Sequence, residues 1–382
     1  MSEEPNFSPN YRGMLMDNQT ITIIKESAPH VRRKDNLVGM LLDVVIALLP
    51  VVVFSFIAWP LGATKNVLIS VAVMELAELI FVLVTHPMPV DLQKHSLVER
   101  FKYGIASYRM SNFLAALVSA LIFALILPAS TSWYALMIGA AAGITFGKLL
   151  FGGNGNNLFN PAAVGMVFAK VCFGGTMYYT APFAGVTEVT VSPTYLAGGD
   201  YSILDLFIGN VPGTLGETCK IAILLGLAYL LIKRVADWKV VVAYIGTFIL
   251  LTLAGGLTVT LPRGGNIPSY GEWVLSHLLA GGFLFGAVYM VTDPVTMPIT
   301  TPSRVLYGMS AAIAAFFIRH FAALPEGVGY GILIANCLAP LYDYPKWSSE
   351  VWKKKDIILC ILVPVAALAI VIWTVFAGGF AL

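Results

Sequence analysis

LVGMLLDVVIALLPVVVFSFIAW, residues 37–59, contains a single charge, Asp43. A membrane-spanning helix needs about 20 mostly apolar residues, and this stretch meets that length. Similar stretches recur at 66–85, 111–128, 133–151, 159–173, 218–233, 238–260, 273–292, 304–322, 326–342 and 357–378. Composition agrees with them. The chain of 382 residues is 58% hydrophobic and only 12% charged, with a mean hydropathy of +0.81. Soluble domains carry about 25% charged residues, so half that inventory cannot clothe a water-facing surface. The class is a polytopic all-α membrane protein.

A net charge of +2 gives no field for nucleic acid, so the placement of charge matters more than its sum. Cytoplasmic loops collect Lys and Arg. With the N-terminus inside, inner segments hold Arg32, Arg33 and Lys34, then Lys94, Arg100, Lys102 and Arg109, then Lys148, Lys233, Arg234, Lys239, Arg304, and Lys353 to Lys355. Outer segments hold Lys65, Arg263 and Arg319, while 174–217 carries acids but no Lys or Arg. That long loop is expected outside and the N-terminus in the cytoplasm. Residues 1–36 lack the apolar core of a signal peptide, so insertion is expected to begin at the first span. Cys172, Cys219, Cys337 and Cys360 share no metal-ligand spacing.

Five spans precede the outer loop and five follow it, with one more at 357–378, and the order from Pro128 to Phe168 is echoed from Pro294 to Pro340. This predicts an inverted repeat, whose sites lie near the midplane at broken helices. The segments are then 1–36, a cytoplasmic N-terminal stretch; 37–173, the first five-helix repeat; 174–217, the outer loop; 218–343, the second repeat; and 344–382, a linker with an additional C-terminal helix.

Charge within a span costs about 2.5–3.5 kcal/mol at its centre on insertion scales, so such residues are candidates. Asp43 lies in the first span. Glu75 and Glu78, three apart in the second, share a helix face and suit proton or cation handling, unless a basic group pairs with them. GGNGNNLFNP, 152–161, puts Gly153 where a backbone can approach a ligand. Its Asn157 and Asn160 can both donate to and accept from a flat heterocycle; a tight interhelical loop is the alternative. TDPVTMPITTP, 292–302, breaks a helix around Asp293, and Asn336, Pro340 and Asp343 end the tenth span in a similar way. Irregular backbone at that depth is tolerated only where it is buried in protein or lines a cavity.

FGGNGNNLFNPAAVG, LDLFIGNVPGTLGETCKIAILLG, GAVYMVTDPVTMPITTPSRVLYG and PEGVGYGILIANCLAPLYD, in this order, closely resemble the NqrB/RnfD family. Its members are the membrane flavoprotein subunits of the Na+-pumping NADH:quinone reductase and of the Rnf ferredoxin:NAD+ complex. The resemblance runs from about Pro29 to about Asp343. It implies FMN held by a phosphoester to a threonine of the outer loop, and riboflavin bound noncovalently within the membrane. The family's attachment signal, D-G-x-S-G-A-T, is matched in part by Ala184 to Thr190. Gly185, Thr187 and Thr190 fit the signal, whereas Ala184, Glu188 and Val189 depart from it. Thr190 is the expected acceptor, with Thr187 and Thr218 as alternatives. The resemblance further implies riboflavin contacts at Asn157 and Asn160, a flavin or ion role for Asp293, and cation passage at Glu78 and Asp343. The expected partners are the other Rnf or Nqr subunits, membrane lipid, and Na+ or H+, in a bacterial or archaeal cell membrane. The short N-terminal extension and the GETC…YLLIKRVADW stretch favour the Rnf branch. A flavin-free channel of the same fold and a membrane anchor for an outer flavoprotein are the rival readings.

Overall fold

A computed structural model describes residues 37–85, 97–183, 201–257, 269–322, 327–344 and 348–377. Thr187 and Thr190 lie outside them, as does the N-terminal segment. The described residues are helical, with no strand among them. In chain order the helices are α1 (Leu37–Ala58), α2 (Pro60–Thr85), α3 (Leu97–Ala106), α4 (Met110–Leu125), α5 (Trp133–Gly147), α6 (Pro161–Phe173), α7 (Ile203–Ile208), α8 (Lys220–Ile232), α9 (Trp238–Gly255), α10 (Tyr270–Leu279), α11 (Phe283–Phe285), α12 (Thr301–Phe321), α13 (Val328–Tyr342) and α14 (Lys354–Phe376).

Every anticipated span contains a helix, but they are not equivalent. Six are long and apolar enough to cross a membrane: α1, α2, α5 with its following turn, α9, α12 and α14. A seventh span is the pair α10 and 283–290, bent by 51°. α4, α6, α8 and α13 are apolar but shorter. The most apolar 18-residue windows of α5, α9 and α12 are 56% buried, against 17% for α1 and α14. The former therefore form the centre and the latter face lipid. α12 packs on α9 and α13, α5 on α6, and α1 on α4 and α8.

Local chemistry explains the less regular elements. Asn160 starts α6: its Oδ1 accepts from the amides of Ala162 and Ala163 at 3.0 and 3.3 Å, and Pro161 follows where no amide is needed. Ser269 and Glu272 form a reciprocal capping box at the start of α10. That helix stops at Ala280, Gly281 takes a left-handed φ of 66°, and a π turn from Gly286 to Met290 completes the span. α5 carries Gly139, Gly143 and Gly147 on one face. A Cβ on Gly143 would lie 2.6 Å from the Pro161 carbonyl, so α5 and α6 meet backbone to backbone, as small-residue stripes allow in membranes.

Two charges read as loop residues are instead buried. Lys148 is fully covered at the end of α5, and Arg319 is buried within the last turns of α12. Each found a partner far away in sequence, so neither marks a loop facing water.

Candidate functional site

The candidate site is a cavity where the loop from Gly152 to Asn160 meets α1, α4 and the segment after the π turn. Counted out to its open mouth, the space is about 850 Å³. Leu41, Val44, Val118, Ile122 and Val288 form apolar walls, and Asn154, Asn157, Asn160, Thr292 and Asp293 line it with polar atoms. Few convergent polar groups on an apolar wall is the usual build of a small-molecule site. Thus three predicted residues, Asn157, Asn160 and Asp293, come together from segments more than a hundred residues apart.

Each is held differently. Asn160 is committed to capping α6, and its own N–H donates to Asn336 Oδ1 at 3.3 Å. Asn336, fully buried, donates in turn to the Tyr307 hydroxyl at 3.0 Å and the Thr296 carbonyl at 3.5 Å. This network locks the loop's last residue to α12 and α13. Asn157 Oδ1 is buried without a hydrogen-bond partner. A buried acceptor left unmade costs about 1–3 kcal/mol, which a ligand donor in the cavity would relieve. Asp293 Oδ1 accepts from the Val295 amide at 3.2 Å and Oδ2 from the Thr296 hydroxyl at 3.1 Å. Burial pushes its carboxyl above the ordinary range, while these two bonds and the Lys148 charge pull it down. Gly153 has a left-handed φ of 84°, and a Cβ there would lie 2.8 Å from the Phe81 ring. Glycine is required by both conformation and space.

The acids form a second centre beside the first. Glu78, fully buried on α2, makes an ion pair with Lys148 at 2.9 Å and accepts from Asn112 Nδ2 at 3.3 Å. Glu75 accepts from the Tyr108 hydroxyl at 2.7 Å. Burial raises the Tyr108 phenol well above its usual value, and the bond to Glu75 adds to this, so it stays a donor. The basic group that the two acids lacked in sequence is Lys148. Asp43 stands apart on α1, accepting from the Tyr229 hydroxyl at 2.7 Å with Lys233 at 3.8 Å. Asp343 is also separate: it accepts from the amides of Ile299 and Thr300 at 2.7 and 3.5 Å, just before α12. The geometry gives Asp343 a structural task at that turn.

Lys148, Tyr108, Asn112 and Asn154 are additions to the predicted set. A lysine directly after a glycine stripe in an apolar helix was the available signal for Lys148. The partners of the other three come from folded contacts. Among the described residues no group of three or more His, Cys, Asp and Glu is arranged to hold a metal ion.

Comparison with known proteins adds the following. The sequence model described as the NQR2, RnfD, RnfE family matches residues 24–348. NqrB, from the Na(+)-translocating NADH-quinone reductase of Chromohalobacter salexigens, is 36% identical over 237 residues, covering 59% of this chain and 57% of that protein. Its counterpart from Klebsiella pneumoniae is 32% identical over 261 residues, covering 63% and 61%. RnfD, from the Na(+)-translocating ferredoxin:NAD(+) oxidoreductase complex of Acetobacterium woodii, is 28% identical over 340 residues, covering 86% of this chain and 94% of that protein. The chain thus spans less than two thirds of the NqrB relatives and nearly all of the RnfD relative.

Proposed function

The chain belongs to the NQR2, RnfD, RnfE family, and from that membership we propose that it is the flavin-bearing membrane subunit of an ion-translocating electron-transport complex. The RnfD type is favoured, because the match to the Acetobacterium protein runs through 94% of that relative. Higher identity over a shorter region favours the NqrB type as the second reading. In either case the chain works with other subunits of a complex in a prokaryotic cell membrane. The Lys and Arg distribution supports a cytoplasmic N-terminus, and the order of motifs supports an inverted repeat of five plus five helices.

In this reading the cavity holds riboflavin noncovalently. The observation that carries it is Asn157, whose buried acceptor has no partner and sits on the wall of an apolar slot. Apolar side chains from α1 and α4 would cover the ring faces, and Asn157 would meet a donor on the ring edge. Asp293, held by Val295 and Thr296, would stand at the polar end. Such a group carries electrons by its own chemistry, while the protein supplies position and electrostatics. A second flavin, FMN, is proposed as a phosphoester on Thr190, with Thr187 and Thr218 as alternative acceptors. Glu75 and Glu78, with Asp43 and Asp343, are the proposed acids for coupling electron passage to Na+ or H+.

The purified protein, denatured in SDS and viewed under ultraviolet light, is expected to give a fluorescent band that Thr190→Val abolishes. Extraction before denaturation is expected to release riboflavin, and Asn160→Leu to lower its yield several-fold without dimming the band. A dark band together with no extractable riboflavin would refute the flavin relay and favour a flavin-free channel of this fold. Unchanged riboflavin in Asn160→Leu would remove it from the cavity.

A further inference from the structure

Lys148 links the two centres: it pairs with Glu78, and its backbone carbonyl holds the cavity loop. Its side chain is 1% exposed, and its ammonium lies 2.9 Å from a Glu78 side chain that is not exposed at all. Asp293, on the cavity wall, is within electrostatic reach of the same ammonium. The backbone carbonyl of Lys148 accepts from the amides of Phe151 and Gly153, at 3.2 and 3.3 Å. Those bonds set the start of the loop that carries Asn154 and Asn157 into the cavity.

Two further contacts run in parallel. Asn154 Nδ2 donates to the Ser111 carbonyl at 3.3 Å, and the next residue along α4, Asn112, donates to Glu78. Gly153 packs against Phe81, three residues beyond Glu78 on α2. The cavity loop is therefore tied to the acid cluster through one ammonium, one carbonyl and two neighbours on α2 and α4. The charged and titratable groups around it are Glu75, Glu78, Tyr108, Lys148 and Asp293. With both glutamates ionised, one ammonium answers two carboxylates on α2, and Asp293 competes for it from the other side.

We propose that Lys148 is a positioning residue that makes the cavity wall respond to the charge on Glu78. Neutralising Glu78, by a proton or by an arriving monovalent cation, removes the nearer partner of the ammonium. Glu75 on α2 and Asp293 on the cavity side are then its remaining carboxylates, and the carbonyl of Lys148 moves with the side chain it belongs to. Cation occupancy on α2 is in this way transmitted to the loop that would grip a flavin edge. The proposal rests on the cavity being the cofactor site, but its mechanical part does not.

Hydrogen–deuterium exchange of the full chain, purified with its complex, separates the two. Glu78→Gln is expected to speed exchange of the amides in 149–157 by at least about threefold, with exchange in α12 and α13 unchanged. Lys148→Met is expected to do the same, and the double variant to match Lys148→Met rather than sum the two. Lys148→Arg, which keeps the charge, is expected to stay close to wild type in the loop and serves if the methionine variant fails to assemble. Wild-type exchange in 149–157 for Glu78→Gln would overturn the proposal, as would full additivity in the double variant. Riboflavin extracted from the same samples reports on the cavity independently: its absence from wild type would refute the cofactor site and leave the exchange result standing.

Discussion

Asn336 illustrates how much a single buried amide can decide. It accepts from the Asn160 amide and donates to Tyr307 and Thr296, joining α6, α12 and the segment after the π turn. Replacing it with Leu strips a partner from each of those groups inside an apolar bundle. Unmade buried hydrogen bonds cost about 1–3 kcal/mol each, so Asn336→Leu, which removes three, is expected to destabilise the protein by about 3 kcal/mol or more and to lower extractable riboflavin with it. Thermal unfolding in detergent checks the first outcome and extraction the second. Asp293 gives a prediction in pH. Its folded carboxyl is raised by burial, so its contribution is fully present below the ordinary carboxylate range and is lost as pH rises through the raised value. Melting temperature is expected to fall with rising pH across that window, and Asp293→Asn, which still accepts from Val295, is expected to flatten the fall. A wild-type curve rising over the same range would contradict this. These residues differ in how legible they were. Asn160 and Asp293 stood out because an Asn before Pro and an Asp within a proline-broken segment have local meaning. Lys148 read as loop charge because its partner, Glu78, lies on a distant helix of the sequence, and nothing in the spacing ties them.

At the scale of elements, length and apolarity placed a helix in every anticipated span, and six of these, or seven with the bent pair, are long and apolar enough to cross a membrane. What they missed are features set by contact. α3 is a ten-residue amphipathic helix whose pattern is too polar for a span. The break between α10 and α11 is held from outside: Arg319 donates to the carbonyls of His277 at 2.7 Å and Ala280 at 3.4 Å, with its guanidinium 5.2 Å from the centre of the Phe248 ring. The end of a helix in lipid must have its carbonyls satisfied, and here a side chain from α12 does so. Arg319→Met keeps the packing volume but leaves those carbonyls bare, at a cost of about 1–3 kcal/mol per group. The melting temperature is expected to drop accordingly, with Arg319→Lys intermediate, because an ammonium reaches one carbonyl more readily than two. The α5 stripe predicts a different failure. Gly143→Leu drives a side chain into Pro161 and Gly165, so overpacking of about 3 kcal/mol or more is expected. Since Pro161 follows the cavity residue Asn160, riboflavin is expected to be lost along with stability. A variant that melts lower yet retains full riboflavin would show that the cavity does not depend on this crossing.

At the scale of the whole molecule, most of the buried charge among the described residues gathers in two clusters. One, by the last turn of α5, holds Glu75, Glu78, Asp293 and Lys148, an acidic group with one cation. The other holds Lys220 and Arg319 near Glu217, with Lys220 donating to the Glu217 and Thr218 carbonyls. The helix α14 holds a buried acid of its own, Asp356, which accepts from the Lys353 amide at its start. It lies beyond the residues that the family shares, and it rests on α9 and α12 through Pro364, Ala367, Val371 and Val375. Between lipid-facing helices there is little hydrophobic drive to associate, only packing, and a groove of about 540 Å³ lined by Trp238, Gly246, Met309 and Trp352 interrupts even that. Glu350, just before α14, matters more: it accepts from the Thr301 amide and hydroxyl at 3.3 and 2.8 Å, satisfying the start of a central helix. A chain ended after Trp352 is therefore expected to keep its riboflavin and melt within a few degrees of wild type. One ended before Glu350 should lose about 1–3 kcal/mol as the α12 start loses its cap. Thermal unfolding and extraction on the two truncations distinguish these outcomes, and riboflavin lost from the longer one would mean that α14, despite its loose seat, braces α12 and through it Tyr307 and Asn336.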